Sequence, residues 1–482
     1  MSPPARLVER VLLSALLLLL GALVYRNMDL LADSFWYIAT GRYVVQGGHF
    51  PAVDPFSFAA VRTPWIVHMP GSVVLFAWLD QHFGLRSILY VATAVQTAAL
   101  AVLWLSSGRS LTNRLLLAPL IAFSVYLQRD DLCARGQVFG DMLFVLLILL
   151  AARWRDGAPV RWWLAPLIGA AWINLHSSFP LGVLVPLVVA AGLLFDPPKQ
   201  RPALLPLVSF AGLFALGTLL NPYGLGLVRD VLTLASHPTT VSQKLFLPPD
   251  FSRADTLGAF AMGTAALLGC IGQRQGNASR ALLLVAFLCA AAAGLRYLPL
   301  LAYVSISMLG PALEPVAQRI SNGFGARFRS SPAAYWAASA VGLLAAAAAL
   351  WGAASGLRRP KEVYAQVPID AARYAREHAQ PNVLNDYHWG GFLLYVWQGQ
   401  PKVFIDGRSY LYFNGVFEDA QRLSAVMPGS EQLLDIYELR SALLERGSPL
   451  AVALEQSGWN KVFQDRLAVV LERPVAAATG AR

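Results

Sequence analysis

Long apolar blocks, most of them about 15 to 20 residues in length, are the feature that most constrains this chain. A helix of that length is what is needed to cross roughly 30 Å of hydrocarbon. The composition supports the same interpretation, because 56% of the 482 residues are hydrophobic and 14% are charged, whereas an average soluble domain carries roughly 25% charged residues. The sequence therefore predicts an α-helical multi-pass membrane protein.

About eleven transmembrane helices are predicted from these blocks. They are placed near residues 10–26, 86–106, 113–127, 138–152, 160–174, 180–195, 203–220, 257–273, 280–295, 297–313 and 333–353. Arg26, not a small-residue cleavage site, follows the first block, so we interpret that block as a retained span. The apolar stretch 71–83 contains Asp80 and His82, and we predict that it lies at the interface or enters the membrane only partway.

The distribution of charge predicts the orientation. With the N-terminus in the cytoplasm, the predicted cytoplasmic loops hold 14 basic and four acidic residues. The rest of residues 1–360, which is mainly the predicted external segments, holds 12 basic and 10 acidic residues. This bias is the positive-inside pattern, and it predicts that the C-terminal region is extracytoplasmic.

The composition changes near residue 358, and this change predicts two domains. Residues 1–356 form the transmembrane domain, including a first external loop at 27–85, and residues 357–482 form a small extracytoplasmic α/β or α+β domain. The apolar patterns in the second domain predict helices at 370–378 and 431–445 and strands at 382–384, 402–405, 461–463 and 467–471.

The net charge of +10 does not indicate a nucleic-acid partner. Residues 361–482 carry 12 basic and 14 acidic residues, so the basic excess belongs to residues 1–360. There it is spread over short loops and does not form the single patch that nucleic acid requires. The three cysteines, Cys133, Cys270 and Cys289, show neither a disulfide framework nor metal-type spacing.

Acidic residues at the start of the first external loop are the first candidates for chemistry. Asp33 stands soon after the first span, and an acidic residue so close to hydrocarbon is costly unless it has a role. Asp29 lies four residues earlier and would share a face with Asp33 if the stretch is helical. Either could act as a general base, or bind a divalent metal together with Asp54. Alternatively, Asp33 caps the turn through Trp36.

Basic residues at other external span ends form a second set of candidates. Arg296 lies between two apolar spans with almost no loop, so it should face a cavity, an anion or the lipid headgroups. Its planar guanidinium suits a phosphate, and Arg135 has a similar position before the fourth span. His68 and His176 also lie at external span ends, where a histidine serves either as a hydrogen-bonded structural residue or as a ligand-binding one.

Several short motifs, in order along nearly the whole chain, resemble those of GT-C-type integral membrane glycosyltransferase-like proteins, and more narrowly a poorly characterised bacterial group of them. The clearest match is Asp33-Ser34-Phe35-Trp36-Tyr37-Ile38-Ala39-Thr40-Gly41-Arg42, followed by Pro51 and residues 54–58. Further matches are Trp65 with His68, Arg135 with Gln137, residues 172–176, residues 221–224, Arg296 with Pro299, residues 385–391 and residues 404–408.

The resemblance implies a polyprenyl-phosphate-linked sugar as donor and a location in the bacterial inner membrane, with the C-terminal domain in the periplasm. It implies that Asp33 activates the acceptor, with Asp29 and Asp54 as helpers. Asp33 and Asp54 are also the candidate ligands of a divalent metal, Mg²⁺ or Mn²⁺. The resemblance also implies that the lipid phosphate is held by Arg296, Arg135, His68 and His176. Fixed cationic and hydrogen-bonding groups stabilise a developing anion.

Three functions stay open at this point. The first is a glycosyltransferase that works at the periplasmic face with Asp33 as general base. The second is a transporter or flippase for a lipid-linked saccharide, although its ionisable groups would be expected nearer the midplane of the membrane. The third is a non-catalytic assembly component of the envelope polysaccharide machinery, in which residues 361–482 serve as a docking module.

Overall fold

The computed structural model describes residues 3–30, 32–60, 63–129, 132–235, 237, 247–271, 277–328 and 366–474. The chain forms two compact units. The helical unit comprises Met1–Asp29 and Leu89–Pro360, and the mixed unit comprises Leu30–Ile88 and Lys361–Arg482.

Helices predominate in the described residues, and the strands belong to the C-terminal part. In chain order the helices and strands are α1 (Pro3–Asn27), α2 (Ala32–Gly47), α3 (Pro70–Phe83), α4 (Arg86–Ser107), α5 (Leu111–Leu127), α6 (Gln137–Arg155), α7 (Ala165–Leu175), α8 (Leu181–Leu193), α9 (Leu204–Gly217), α10 (Leu225–Ala235), α11 (Ala254–Ile271), α12 (Ala278–Ala293), α13 (Leu298–Phe328), α14 (Ile369–His378), β1 (Val383–Asn385), α15 (Tyr387–Trp397), α16 (Val416–Ser424), α17 (Glu431–Ile436), β2 (Ser441–Glu445), α18 (Pro449–Gln456), β3 (Asn460–Gln464) and β4 (Ala468–Glu472). Short 3₁₀ turns occur at Trp162–Leu164, Pro198–Ala203, Leu295–Tyr297 and Ser409–Tyr412.

The helical unit has the composition of a membrane domain. Within the described residues, four segments are long and apolar enough to cross a membrane: Arg86–Ser107, Gln137–Arg155, Ala254–Ile271 and Leu295–Asn322. Five shorter apolar helices accompany them. Helices occupy ten of the eleven predicted spans, and the eleventh, 333–353, lies outside the described residues. A membrane protein is thereby confirmed, whereas the number of eleven spans stays a prediction.

A buried polar network joins four regions of the helical unit. Gln96 on α4 donates to Asp141 on α6 at 3.2 Å and to the Tyr303 hydroxyl on α13 at 3.0 Å. Gln128, just after α5, donates to the same hydroxyl at 2.8 Å, and Tyr303 donates to Asp141 at 3.2 Å. Polar groups in an apolar interior are costly without such partners, so this network fixes how the helices meet.

The mixed unit contains a four-stranded sheet in the order β1-β2-β4-β3. β1 pairs with β2 in parallel, and β2 and β3 both pair with β4 in the antiparallel sense. Four of the five β2 residues are buried, from Ser441 to Leu444, so β2 lies in the core. Helices α14 and α18 pack against this sheet, and α2 packs against α3 and α15.

Most of the predicted elements of the C-terminal region are present, and two differ. The predicted helix 431–445 is wrong in its second half, because α17 ends at Ile436 and residues 441–445 form β2. A fully buried strand shows no polar alternation, so its apolar residues also fit a helical period. The predicted strand 402–405 is reduced to isolated bridges from Val403 to Ser57 and Val383.

Most of the first external loop belongs to the mixed unit. The loop contains α2 and α3, and the Ser57 hydroxyl donates to the carbonyl of Phe404 at 3.0 Å. Phe35 on α2 contacts Phe392 on α15, with ring centroids 5.4 Å apart. This division differs from the predicted domains, which placed the whole loop in the transmembrane domain. Two segments that are distant in sequence build one core, which a composition boundary cannot reveal.

Candidate active site

Asp33 lies in the first turn of α2 and is half-buried. Its Oδ1 accepts a hydrogen bond from the indole Nε1 of Trp36 at 3.1 Å, a side-chain contact and not the backbone hydrogen bond of an N-cap. A Cβ added to Gly407 would lie 3.1 Å from the same oxygen. The absence of a side chain at Gly407 therefore lets the 406–408 loop approach the carboxylate closely.

Tyr387 lies near Asp33, and the sequence placed it in the 385–391 motif without marking it as a candidate site residue. It begins α15, which is capped by Asp386 through a hydrogen bond from the backbone N–H of His388 at 3.0 Å. Burial raises the pKa of the Tyr387 hydroxyl, and the negative charges of Asp33 and Asp406 raise it further. The phenol therefore stays protonated at neutral pH and can donate a hydrogen bond in the neighbourhood of Asp33.

A buried cluster of charges, the Arg408 cluster, consists of Asp54, Asp406, Arg408 and Tyr412. Arg408 donates to Asp54 Oδ1 at 2.7 Å and to Asp406 Oδ2 at 2.6 Å, and all three charged side chains are fully buried. Tyr412 donates to Asp406 Oδ2 at 2.6 Å. Burial by itself would raise the pKa of Asp406, but Arg408 and the hydrogen bonds lower it. The guanidinium also lies over the Trp65 ring, 4.5 Å from its centroid.

Asp54 has the geometry of a structural residue. Besides the ion pair with Arg408, its two oxygens accept the backbone N–H groups of Phe56 at 3.2 Å and Ser57 at 3.0 Å. These partners occupy the oxygens that a metal would need, so the pair Asp33 and Asp54 does not fit a divalent cation. In the part of the chain that the structure describes, no group of three His, Cys, Asp or Glu side chains could hold a metal. The metal stays an untested prediction.

Asp29 and Asp33 do not share one helical face. α1 ends at Asn27 and α2 begins at Ala32, and Asp29 between them is extended. Its backbone N–H donates to Leu132 at 3.1 Å, and its carbonyl accepts from Ala134 at 2.8 Å. Asp29 therefore supports the loop that carries Arg135 by backbone hydrogen bonds.

Arg135, His176 and Arg296 form the His176 group at one end of the helical unit. His176 lies one residue beyond α7, and its Nδ1 accepts the backbone N–H of Ser178 at 3.2 Å. Because Nδ1 is an acceptor, the proton of the neutral ring is on Nε2. Burial lowers the pKa of His176, and the charges of Arg296 and Arg135 lower it further, to about 3. Three of the predicted phosphate-binding residues are thus electrostatic neighbours.

Close packing positions His176 against α6. A Cβ added to Gly140 would lie 2.5 Å from His176 Nδ1 and 2.8 Å from Ser178 Oγ, so only glycine allows this approach. Ser178 Oγ lies 2.8 Å from Nδ1 and accepts Trp172 Nε1 at 3.1 Å. The ring is therefore held in one orientation by its own loop.

The two arginines of the His176 group stand on different loops. Arg135 precedes α6 and donates to Gln137 Oε1 at 2.6 Å. Arg296 is exposed in a 3₁₀ turn before α13, and the neighbouring Leu295 N–H donates to the carbonyl of Leu247 at 3.0 Å. Loops that are far apart in sequence thus contribute to one cationic group.

His68, the fourth predicted phosphate-binding residue, belongs to the mixed unit. It is buried, and its ring stacks on Tyr410 with centroids 4.6 Å apart. Tyr410 accepts a hydrogen bond from Trp65 Nε1 at 2.9 Å. The role of His68 in binding the lipid phosphate stays a prediction.

The mixed unit also contains a cavity of about 710 Å³ beside α2, α3 and α15. Arg42 and Asp80 both line it and form an ion pair at 2.6 Å, and the Arg42 guanidinium lies 4.4 Å from the centroid of the Tyr395 ring. Gln46 and Gln398 add amide groups to the wall. Paired charges, amides and an aromatic ring are groups that can bind a polar, hydroxylated molecule.

The polar network of Gln96, Gln128, Asp141 and Tyr303 was also missed by sequence reasoning. Asp141 stands inside an apolar span, and an ionisable residue at such a position is a signal that could have been followed. Its partners come from three other regions, so the network could not be assembled without the fold.

No protein-family model matches this sequence, and no curated protein sequence matches it. Solved structures with a similar fold include the following two. One is the archaeal oligosaccharyltransferase AglB from Archaeoglobus fulgidus, in complex with an inhibitory peptide and a dolichol-phosphate. It matches with a TM-score of 0.61 and 12% identity, over 92% of this chain and 70% of AglB.

The other is ArnT from Cupriavidus metallidurans, bound to undecaprenyl phosphate. It matches with a TM-score of 0.53 and 14% identity, over 98% of this chain and 99% of ArnT. At such identities the similarity concerns the fold, and it confirms the predicted GT-C-like fold. The roles of individual residues stay predictions.

Proposed function

We propose that this protein is a membrane glycosyltransferase. It moves a sugar from a polyprenyl-phosphate-linked donor to a hydroxyl acceptor at the periplasmic face of the bacterial inner membrane. The observation that carries the proposal is the His176 group, in which Arg296 and Arg135 are near enough to a buried, neutral imidazole to lower its pKa beyond the effect of burial. The polyprenyl phosphates bound to AglB and ArnT support the choice of donor.

The His176 group has the chemistry of a phosphate site. Arg135 and Arg296 offer planar sets of N–H donors that suit phosphate oxygens. His176 adds a neutral N–H donor, because its proton is on Nε2. Donors that are fixed before the reaction stabilise the charge that develops on the leaving phosphate without reorganisation.

Asp33 is the proposed general base. It accepts a hydrogen bond from Trp36 and has the protonated phenol of Tyr387 in its neighbourhood. In the proposed step the acceptor oxygen forms a bond to the anomeric carbon, and the bond from that carbon to the phosphate oxygen breaks. The hydroxyl proton passes to Asp33, and the polyprenyl phosphate leaves as an anion held by the His176 group. No step requires a metal.

The cavity lined by Arg42 and Asp80 is the proposed place for part of the acceptor. It begins at Ala39, six residues beyond Asp33 on α2, or about 9 Å along the helix axis. An acceptor that extends along α2 can therefore reach both the cavity and the carboxylate.

The direct test is Asp33→Asn in full-length protein, in vesicles supplied with a radiolabelled polyprenyl-phosphate sugar. Loss of a general base should lower the transfer rate roughly 10²- to 10⁴-fold, because the amide cannot take the hydroxyl proton. Binding of the donor should change little. Asp386→Asn is the matched control, since that carboxylate caps α15.

Full transfer activity in the Asp33→Asn protein would remove Asp33 from the mechanism.

The same vesicles separate this proposal from the flippase alternative. A flippase moves a labelled lipid between leaflets without covalent change, whereas a transferase yields free polyprenyl phosphate. The docking alternative needs a larger fragment than residues 361–482. Those residues lack Asp54, and Arg408 would lose one of its two carboxylate partners in the isolated domain.

A further inference from the structure

A second cationic region lies at the other end of α6 from Arg135. There the ends of α4 and α6 and the start of α12 surround a cavity of about 420 Å³. Arg135 precedes the 19-residue α6 and Arg155 is its last residue, and the helix is about 28 Å long. That length approaches the roughly 30 Å of a bilayer core, so the cavity and the His176 group are separate sites.

The polar side of the cavity carries an excess of positive charge. Arg109, Arg153, Arg155 and Arg280 line it, and Asp156 is the acidic residue among its described lining residues. Arg155 is 5% exposed and forms an ion pair with Asp156 Oδ1. Arg280 Nη2 lies 3.8 Å from that same oxygen. One carboxylate is thus shared between two guanidinium groups.

The neighbouring polar groups favour an anion in the remaining space. Asn277 Oδ1 accepts from Arg155 at 3.2 Å and from Arg280 at 3.4 Å, so it brings the two cations towards one point. Ser107 also lines the cavity and is 3% exposed, and its hydroxyl has no hydrogen-bond partner in the described structure. A buried hydroxyl without a partner calls for a ligand, and a phosphate oxygen would accept its proton.

The apolar wall of the cavity consists of the hydrocarbon side chains that line it. Leu149 on α6, Leu283 on α12 and Met308 on α13 belong to it. A cavity lined by both guanidinium groups and hydrocarbon matches an amphiphile with an anionic head. Basic pockets between transmembrane helices on the cytoplasmic side bind anionic lipid headgroups in this way.

We propose that this cavity binds the phosphate of an anionic lipid, with Arg155, Arg280 and Ser107 on the phosphate oxygens and the acyl chains along the apolar wall. The charge bias of the loops places this end in the cytoplasm. The site is distinct from the proposed donor site and does not depend on transferase activity.

The test measures lipid binding to the full-length protein in nanodiscs of phosphatidylcholine, titrated with phosphatidylglycerol and followed by native mass spectrometry. Arg280→Gln should weaken phosphatidylglycerol binding about tenfold or more, since a charge-assisted hydrogen bond is lost. Ser107→Ala should weaken it about threefold. Arg161→Gln is the control, because Arg161 is exposed and does not line the cavity.

A second arm separates a lipid from a soluble phosphate. Glycerol 3-phosphate has a similar charged group without acyl chains, and it should compete only at far higher concentration. If it competes as well as the lipid, the ligand is a soluble phosphate ester and the lipid proposal is overturned. Equal binding of phosphatidylglycerol to the wild type, Arg280→Gln and Ser107→Ala proteins would overturn the site altogether. Ser107→Ala keeps the test decisive if Arg280→Gln folds poorly.

Discussion

The Arg408 cluster and the His176 group both gather ionisable side chains, but they balance charge in different ways. In the Arg408 cluster a fully buried arginine donates to two carboxylates, one of which also accepts a tyrosine hydroxyl. In the His176 group burial lowers the pKa of an imidazole, and two arginines lower it further. In the first arrangement two carboxylates balance one guanidinium, whereas in the second two guanidinium groups lie near a neutral ring.

This difference teaches how to assign roles to residues that look alike in the sequence. Asp54 and Arg296 are both charged residues in external loops, and both were candidates for the site. Asp54 is engaged by Arg408 and two backbone N–H groups, and therefore supports the fold of the mixed unit. Arg296 is exposed and contributes to the field around His176, and therefore remains a candidate for binding.

The largest expected effect on stability is that of Arg408→Gln. Removal of one partner leaves two buried carboxylates without their cation, which costs about 3–5 kcal/mol. Thermal unfolding should show the lower stability, and hydrogen exchange should become faster in residues 383–472. Arg422→Gln is the matched control, because Arg422 pairs with Asp419 at 3.8 Å on the surface, and an exposed pair contributes about 0–1 kcal/mol. Equal effects of the two substitutions would contradict the structural role of the cluster.

Arg296→Gln should have a smaller effect, on binding and not on stability. The variant loses a charge-assisted hydrogen bond to the donor phosphate, worth about 1.5–3 kcal/mol or roughly tenfold to a hundredfold in affinity. Binding of undecaprenyl phosphate to the purified protein measures it. Arg253→Gln, at an exposed arginine paired with Asp255, serves as the control. Unchanged affinity in Arg296→Gln would remove Arg296 from the phosphate site.

The fold could be predicted from the sequence to the extent that it depends on local patterns. The apolar blocks located helices at ten of the spans, and the helix 370–378 is present as α14 with one residue added. The buried strand β2 was misassigned because its residues are apolar on both faces. The mixed unit was not foreseen, because Ser57 and Phe404 are 347 residues apart and only the folded chain pairs them.

The candidate site was predictable in its residue types but not in its partners. Arg135, His176 and Arg296 were each selected for a position at a span end, and the structure brings the three into one electrostatic group. The same reasoning selected Asp54, whose partner Arg408 lies 354 residues away. Residue type and sidedness therefore predict candidates, whereas the balance of charge around each residue requires the fold.

Gly140→Ala sharpens the comparison within the His176 group. The added methyl would lie 2.5 Å from His176 Nδ1, so the ring must move away from α6. Overpacking of this kind costs about 1–3 kcal/mol, and donor affinity should fall because the Nε2–H donor is displaced. Gly212→Ala is the matched control, since a Cβ there meets nothing within 4 Å. Unaltered donor binding in Gly140→Ala would show that the orientation of His176 does not matter.

The last expected effect is a pH dependence that originates at His176. Its pKa in the folded protein is about 3, against 6.5 for an ordinary histidine, so the unfolded chain binds more protons between these values. The contribution of His176 to the free energy of unfolding is therefore fully present above about pH 6.5. It decreases as the pH falls below 6.5, by at most about 1.4 kcal/mol per pH unit. Thermal unfolding of the wild type and His176→Gln between pH 7.5 and 4.5 isolates this contribution, with His82→Gln as an exposed control.

A phosphate bound beside His176 would offset the positive field and raise its pKa, so undecaprenyl phosphate should reduce the acid sensitivity of the wild type and leave that of His176→Gln nearly unchanged. An identical pH dependence in the wild type and His176→Gln would contradict the lowered pKa of His176. An acid sensitivity of the wild type that undecaprenyl phosphate leaves unchanged would contradict the positive potential on which the proposed donor site depends.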